Sequence, residues 1–427
     1  MNYNVLPSLI ALAIMVAVFR AILRQGAADR LQLWLTAWIL VLIHFVAQFV
    51  DVGHGLWDQI ATAVSVGALE LASISFLISM SPRANNRRRQ LLLGAVLGLP
   101  ALAYTTAVVW EFAAHSFYYG VVVAALAATS LLAWNWYRDR FSYLVSLLLG
   151  SAAFSSILIW MIARNHADLG IYIILAGFNF VAALLYWRHF ERATAGVLTT
   201  VFGFIAWGAV FPIGMFLQLY SPSTIVQSEV WNIPKYFVAV GMILTLLEDQ
   251  IHKNEYLAYH DALTGLPNRR LLEDRLEQAL AHAARAGNKV AVLLLDLDRF
   301  KEVNDTFGHR IGDLALQQVV LRLSSRMRAA DTLARSGGDE FTVVSDVSDQ
   351  HGADILISAL ESALAVPLKV EGQLIQTGMS IGVALYPDHG QNPDELRAAA
   401  DQAMYMAKRG GRSAETENVI AFPQSPA

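Results

Sequence analysis

Gly337-Gly338-Asp339-Glu340-Phe341 stands between two stretches that read as β-strands, Thr332 to Ser336 and Phe341 to Ser345. This spacing predicts a hairpin with two glycines and two acids at its tip. Glycine there permits a tight turn and lets a ligand approach the backbone closely. Adjacent carboxylates suit a hard divalent cation, which prefers oxygen ligands. The combination is a poor choice for folding alone, although a plain hairpin remains the simpler alternative, whereas a nucleotide phosphate with its magnesium ion uses all of it.

Outward from this turn, the chain beyond residue 260 alternates helix and strand signals. Asn268 is placed to cap a helix through Ala286 that carries Leu272, Leu276, Ala279 and Leu280 on one face. Val290 to Leu295 is a short apolar run that reads as a buried central strand. Ile311 to Met327 is amphipathic, Ala353 to Ala365 and Glu395 to Lys408 read as helices, and Leu368 to Leu385 reads as a hairpin turned at Glu371-Gly372. The order β–α–β–β–α–β with additions predicts an α/β sandwich of the ferredoxin-like type.

The central strand ends in Asp296-Leu297-Asp298. Alternate strand residues share a face, so both acids are expected to point one way. An antiparallel neighbour would set the glycine turn beside them. Asp296 and Asp339 can then share magnesium ions, two by analogy with two-metal phosphoryl transfer, helped by the Leu297 carbonyl. A solvated strand end explains Asp298 better than Asp296. Lys301 follows within reach of phosphate oxygens. Asn304 and Asp313 offer an amide and a carboxylate that can accept from guanine N–H groups. Lys408 and Arg412, four apart, can pair with phosphates.

These segments together resemble one family. The stretches 261–269, 296–305, 308–313, 335–341, 380–384 and 400–405, followed by Lys408 and Arg412, match the GGDEF-domain diguanylate cyclases in order and spacing over about residues 256–415. The resemblance implies a nucleotidyl-cyclase type domain that binds GTP and works as a homodimer. The 3′-hydroxyl of each GTP attacks the α-phosphate of the other, giving cyclic di-GMP and pyrophosphate. It implies Asp296, the Leu297 carbonyl, Asp339 and Glu340 as Mg2+ ligands, with Glu340 alternatively assisting hydroxyl deprotonation. Asn304 and Asp313 would read guanine, and Asp at 313 favours GTP over ATP. Lys301, Lys408 and Arg412 would bind phosphates, with Phe300, Gly337 and Gly338 lining the pocket. Arg328-Ala329-Ala330-Asp331 fits the family's RxxD site, where cyclic di-GMP binds as inhibitor. A helix-end arginine followed by a turn aspartate is the plainer reading of the same four residues.

Upstream the chain changes character. Over 427 residues, 56% are hydrophobic and the mean hydropathy is +0.44, yet most of the charged residues lie beyond residue 247. Nine stretches near 3–23, 31–50, 59–80, 91–111, 117–136, 141–163, 170–187, 196–220 and 230–247 are apolar enough to span a bilayer. The last is the weakest, because Pro234 and Lys235 interrupt it; eight spans would reverse the N-terminus. Arginines at 24 and 30, at 83 and 87–89, at 138 and 140, and at 188 and 192 occupy alternate loops. The positive-inside rule therefore predicts an N-terminus outside and the C-terminal half in the cytoplasm, and the family resemblance implies a bacterial inner membrane. The first stretch lacks a cleavage site and reads as an uncleaved span.

Within the spans, His44 and Glu70 are polar where polarity is costly. With His54, His115 and His166 they would suit a cofactor site or a transporter, although helix-packing hydrogen bonds and wet loops explain them more simply. Gly94 and Gly98 form a GxxxG pair. Residues 1–247 are thus expected to form an all-α, multi-span sensor domain. A signalling helix over 248–260 follows, with Leu247, Ile251, Asn254 and Ala258 as a dimeric seam. The α/β domain occupies 261–415 and a tail 416–427, in which Val419 to Phe422 suggests an edge strand. No phosphodiesterase domain is expected after so short a tail. Net charge of −4 gives no footprint for nucleic acid, and the absence of cysteine excludes disulfides and thiolate metal centres. The alternative function is an inactive domain that only binds GTP or cyclic di-GMP.

Overall fold

The computed structural model describes residues 5–24, 29–50, 55–84, 86–190, 192–221 and 228–410. The chain divides into two units, 1–250 and 251–427. The first is helical: α1 (Leu6–Leu23), α2 (Asp29–Val50), α3 (Leu56–Met80), α4 (Arg87–Val109), α5 (His115–Tyr137), α6 (Phe141–Ala163), α7 (Gly170–His189), α8 (Ala195–Tyr220) and α9 (Ser228–Tyr259). Among the described residues, eight helices, α2 to α9, are long and apolar enough to cross a membrane, and α1 is a shorter apolar helix. α9, the weakest stretch by composition, is among the eight. Lys235 weakens α9 by composition, but its ammonium donates to Asn232 Oδ1 at 2.7 Å within the same helix.

Helices in lipid gain little from apolar contact alone, so close approach and interhelical hydrogen bonds must hold them. Small residues supply the approach. A methyl at Gly203 would meet Val238 backbone, and one at Gly241 would meet Thr200. The Gly94–Gly98 pair lies against Ile78 and Leu71 of α3. Polar contacts supply the rest: Tyr186 to Thr245 Oγ1 (3.0 Å) and Thr105 to Glu70 Oε1 (2.7 Å). Glu248 accepts from the Gly196 amide and the Thr194 hydroxyl, fixing α9 to the first turn of α8. His44 Nδ1 lies 3.0 Å from the Ser65 carbonyl and 2.9 Å from its hydroxyl, so helix packing accounts for that ring nitrogen. His54 lies outside the described residues. Among the described residues no three His, Asp or Glu side chains converge as a metal site.

The second unit is α/β. Its elements are α10 (Arg269–Ala286), β1 (Lys289–Leu297), α11 (Phe300–Phe307), α12 (His309–Ser324), β2 (Thr332–Arg335), β3 (Glu340–Val347), α13 (Gln350–Leu364), β4 (Leu368–Val370), β5 (Gln373–Ile375), β6 (Met379–Tyr386) and α14 (Pro393–Gly410). The main sheet runs β2-β3-β1-β6, and every pairing in it is antiparallel. This is the ferredoxin-like order, with helices on both faces.

Strand β1 is buried on both sides because its run is apolar at every position from Val290 to Leu295. Ala291, Leu293, Leu295 and Leu297 join one core with α11, α12 and α13. Val290 and Val292 join a second core, with Leu272, Leu276 and Leu280 of α10 and Leu396 and Ala400 of α14. Asn268 caps α10 as the sequence suggests, its side chain accepting from Arg270 and Leu271 amides.

The region 368–385 departs from the single hairpin read in the sequence. The Glu371-Gly372 turn joins only β4 and β5, a separate two-stranded ribbon, and β6 leaves to pair with β1. Asp298 explains the break. It lies beyond β1, and its carboxylate accepts from Ser380 (2.7 Å) while its amide donates to the Gly378 carbonyl (3.0 Å). It ties β1 to β6 and is neither a solvated end nor a partner of Asp296. On α9, Leu247 and Ile251 are more than half exposed and Asn254 and Ala258 are exposed. The tail from 411, including Val419 to Phe422, lies outside the described residues.

Candidate nucleotide and metal site

The register of β1 on β3 sets Asp296 opposite Glu340. One step further, the Leu297 amide donates to the Asp339 carbonyl at 3.2 Å. Two acid-bearing segments, 43 residues apart by number (339 − 296), are thus brought side by side by the sheet. The donors there are all oxygens, the set a hard divalent cation prefers. The carboxylates of Asp296, Asp339 and Glu340 are not gathered on one point. Asp296, 17% exposed, is held instead by the Lys408 ammonium at 2.8 Å. A phosphate-bound cation would take over that charge, freeing Lys408 for phosphate oxygens.

Neither Gly337 nor Gly338 has a positive φ, so the turn itself does not demand glycine. A methyl on Gly338 would point into open space, and one on Gly337 would sit 3.2 Å from Glu340 Oε2. Clearance over the turn is what the pair provides. The turn is held from behind: Arg335 donates to the Gly338 carbonyl through Nε (3.0 Å) and Nη2 (2.6 Å), and to Asp261 Oδ1 through Nη1 (2.9 Å). Arg335 and Asp261 belong to matched segments but carried no assigned role in the sequence reading; an arginine two positions before a glycine pair was the available signal. A groove of about 550 Å³ lies against this turn, lined by Asp261, Arg269, Arg270, Arg335 and the two glycines. Asp296, Asn304, Asp313 and Lys408 do not line it.

Asp261 also accepts from the Thr264 amide (2.9 Å) and hydroxyl (2.6 Å). Burial opposes its ionisation, but the bonds from Thr264 and Arg335 outweigh burial and hold its carboxyl below the ordinary range. A depressed carboxyl stabilises the fold above the unfolded-state pKa, near 4, and loses that contribution as pH falls further. Acid unfolding followed by circular dichroism should therefore show Asp261→Asn flattening the pH dependence below about pH 4. An unchanged acid profile would remove Asp261 from the account.

Asn304 and Asp313 are built on a helix corner. Helices α11 and α12 meet at Gly308, whose φ is +81, and the Asn304 carbonyl accepts from the Gly308 amide. A methyl at Gly312 would collide with Asn304 Oδ1, so glycine lets the Asn304 amide lie over the first turn of α12. Asp313 is the next residue and is exposed. Lys301 is exposed in the first turn of α11, beside Arg299 in the left-handed region at φ +57. Phe300 is different: its ring is 4% exposed and packs in the core, so only its backbone can line a pocket. Arg412 lies outside the described residues.

At the RxxD segment, Asp331 Oδ2 accepts from the Arg328 amide (2.8 Å) and Oδ1 from Ser345 (2.6 Å). The aspartate fixes the turn, and the arginine is exposed.

Residues 258–414 match the family described as "Diguanylate cyclase, GGDEF domain". The segment is 47% identical over 157 residues to the bifunctional diguanylate cyclase/cyclic di-GMP phosphodiesterase MucR of Pseudomonas aeruginosa, covering 37% of this chain and 23% of that protein. It is 41% identical over 169 residues to the diguanylate cyclase TpbB of the same species, covering 39% of each. The crystal structure of the TpbB domain aligns at 40% identity with a TM-score of 0.34, covering 34% of this chain and 92% of that one. The chain thus spans well under half the length of these two curated relatives.

Proposed function

Residues 258–414 are a GGDEF domain, and from that premise we propose that the protein is a membrane-tethered diguanylate cyclase. It condenses two GTP into cyclic di-GMP and two pyrophosphates. The observation that carries the reading is the strand register that sets Asp296 against Glu340 and Leu297 against Asp339.

Asp296, the Leu297 carbonyl, Asp339 and Glu340 would hold Mg2+, two ions per site, whose chemistry there is to neutralise phosphate charge and acidify the attacking hydroxyl. Asn304 and Asp313 receive the guanine edge. Lys301, Lys408 and Arg412 bind the phosphates, while Gly337 and Gly338 leave room for the nucleotide. Glu340 completes the cation set or takes the 3′-hydroxyl proton. The 3′-oxygen of one GTP bonds to the α-phosphorus of the other as the bond to pyrophosphate breaks, and the same step repeated closes the ring. Each chain supplies one GTP, so two copies must face each other, and the exposed α9 seam of Leu247, Ile251, Asn254 and Ala258 suits that pairing.

On this reading the protein sits in the bacterial inner membrane, with the cyclase in the cytoplasm and the membrane half as sensor; the eight long apolar helices support it. Incubating the full chain with GTP or with ATP and Mg2+ tests the base assignment. Cyclic product is expected from GTP alone; equal product from ATP would contradict the roles of Asn304 and Asp313. GTP binding without any product would turn the reading to a receptor.

Product feedback follows from the exposed Arg328. An arginine on a guanine edge is worth about 1–3 kcal/mol. Arg328→Ala should therefore raise the cyclic di-GMP concentration for half-inhibition by about tenfold or more while leaving the uninhibited rate unchanged. Unchanged inhibition in a product-titration assay would discard the site.

A further inference from the structure

We propose that the helical unit contains a binding site for a small organic monocarboxylate, centred on Lys235. The side chain is 6% exposed, so it does not snorkel to a surface. Its ammonium donates to Asn232 Oδ1 at 2.7 Å and otherwise faces rings, 4.7 Å from the Phe45 centroid and 5.8 Å from that of Trp207. Among the described residues no carboxylate pairs with it. Ring faces attract a cation but carry no charge to neutralise it. A buried unpaired ammonium among apolar helices is costly, and such groups mark sites for an ionic partner.

The surroundings are short of acceptors. Among the described residues, Lys235 has three N–H groups and one hydrogen-bond acceptor, and the buried Trp207 Nε1 has no acceptor. Asn232 turns its own amide nitrogen toward Ser8 Oγ, 3.3 Å away. One positive charge with surplus donors calls for a monoanion whose oxygens accept, and the walls of Phe45 and Trp207 suit an apolar body. A phosphate dianion would leave a second charge unmatched.

The site is also positioned to matter. Ser8 and Asn232 lie near the starts of α1 and α9, and His44 lies in the closing two turns of α2. That is the opposite end of α9 from Tyr259, about 36 Å along the helix at 1.5 Å per residue. Pro234 lacks the N–H that would bond the Val230 carbonyl, so α9 is least constrained beside Lys235. An anion that draws on Lys235 therefore acts on α9 where it bends most easily. The binding claim rests on the helical unit alone; only its effect on the cyclase depends on the proposed function.

The test uses the full chain in nanodiscs of zwitterionic lipid, without GTP. Acetate, butyrate, octanoate and benzoate are each titrated beside the corresponding neutral amide, with tryptophan fluorescence and the unfolding midpoint as readouts. At least one acid should give a saturable shift that its amide does not. Lys235→Met should weaken that response by about tenfold or more. No acid acting, acids and amides acting alike, or an undiminished response in Lys235→Met would overturn the proposal. So would a Lys235-dependent shift produced only by phosphatidylglycerol, which would reassign the site to a lipid headgroup. If Lys235→Met does not assemble, the acid-against-amide contrast in the unaltered chain still decides.

Discussion

Asp296→Asn is expected to lower cyclic di-GMP formation by about a thousandfold or more, because it removes a charged ligand from the cation site while preserving shape. The substitution is nearly isosteric. The ion pair it breaks, with a Lys408 that is 39% exposed, is worth less than about 1 kcal/mol. The fold should therefore survive, and the unfolding midpoint is the control. The proposed function puts guanine recognition elsewhere, at Asn304 and Asp313, so GTP binding should weaken far less than turnover. Product quantified by anion-exchange chromatography, beside GTP binding by calorimetry, separates the two. Activity within tenfold of the unaltered chain would mean that Asp296 does not hold the cation.

Arg335→Met should cost about a hundredfold in kcat with a smaller change in KM. Arg335 is a positioning residue. Its fork holds the Gly338 carbonyl immediately before Asp339, and its third bond ties that turn to Asp261. With Met the side chain stays long, but the Gly338 carbonyl and Asp261 lose their partner, destabilising the domain by about 1–3 kcal/mol. Displacement of a catalytic group by about 1 Å is enough for a hundredfold loss. Asp261→Asn should be milder, since an amide oxygen still accepts from Thr264 and Arg335. A steady-state comparison in which Arg335→Met changes KM alone, or in which Asp261→Asn is the more damaging, would contradict the role given to the fork.

Much of this site was legible in the sequence because its logic is local. The short apolar run at 290–295, bounded by Gly287-Asn288, reads as a strand covered on both faces, and acids at its end then emerge where the sheet stops. Asn268 before a 3.6-residue periodicity fixes the start of α10. What escaped the sequence depended on contacts between distant residues. The exit of β6 from its apparent hairpin is set by Asp298 bonding Ser380 and Gly378, which no periodicity announces. Gly312 reads as an ordinary helical glycine until Asn304 is seen lying on it. Phe300 looked like a pocket wall because it sits among site residues, but the helix turns its ring into the core. In the helical unit, composition penalised α9 for Lys235, since a hydropathy sum does not see Asn232 and two ring faces around the ammonium.

In sequence, α9 (Ser228–Tyr259) runs through the boundary between the two units at residue 250. Glu248 clamps α9 to α8 beside Leu247, the first residue of the exposed seam.

The central claim is that acids from two neighbouring strands serve the joining of two guanine nucleotides. It is tested most directly by supplying the full chain with GTP and Mg2+ and measuring both products. The account predicts one cyclic di-GMP for every two pyrophosphates released, with both lost in Asp296→Asn. Pyrophosphate without the cyclic dinucleotide, or neither from a chain that still binds GTP, would contradict it.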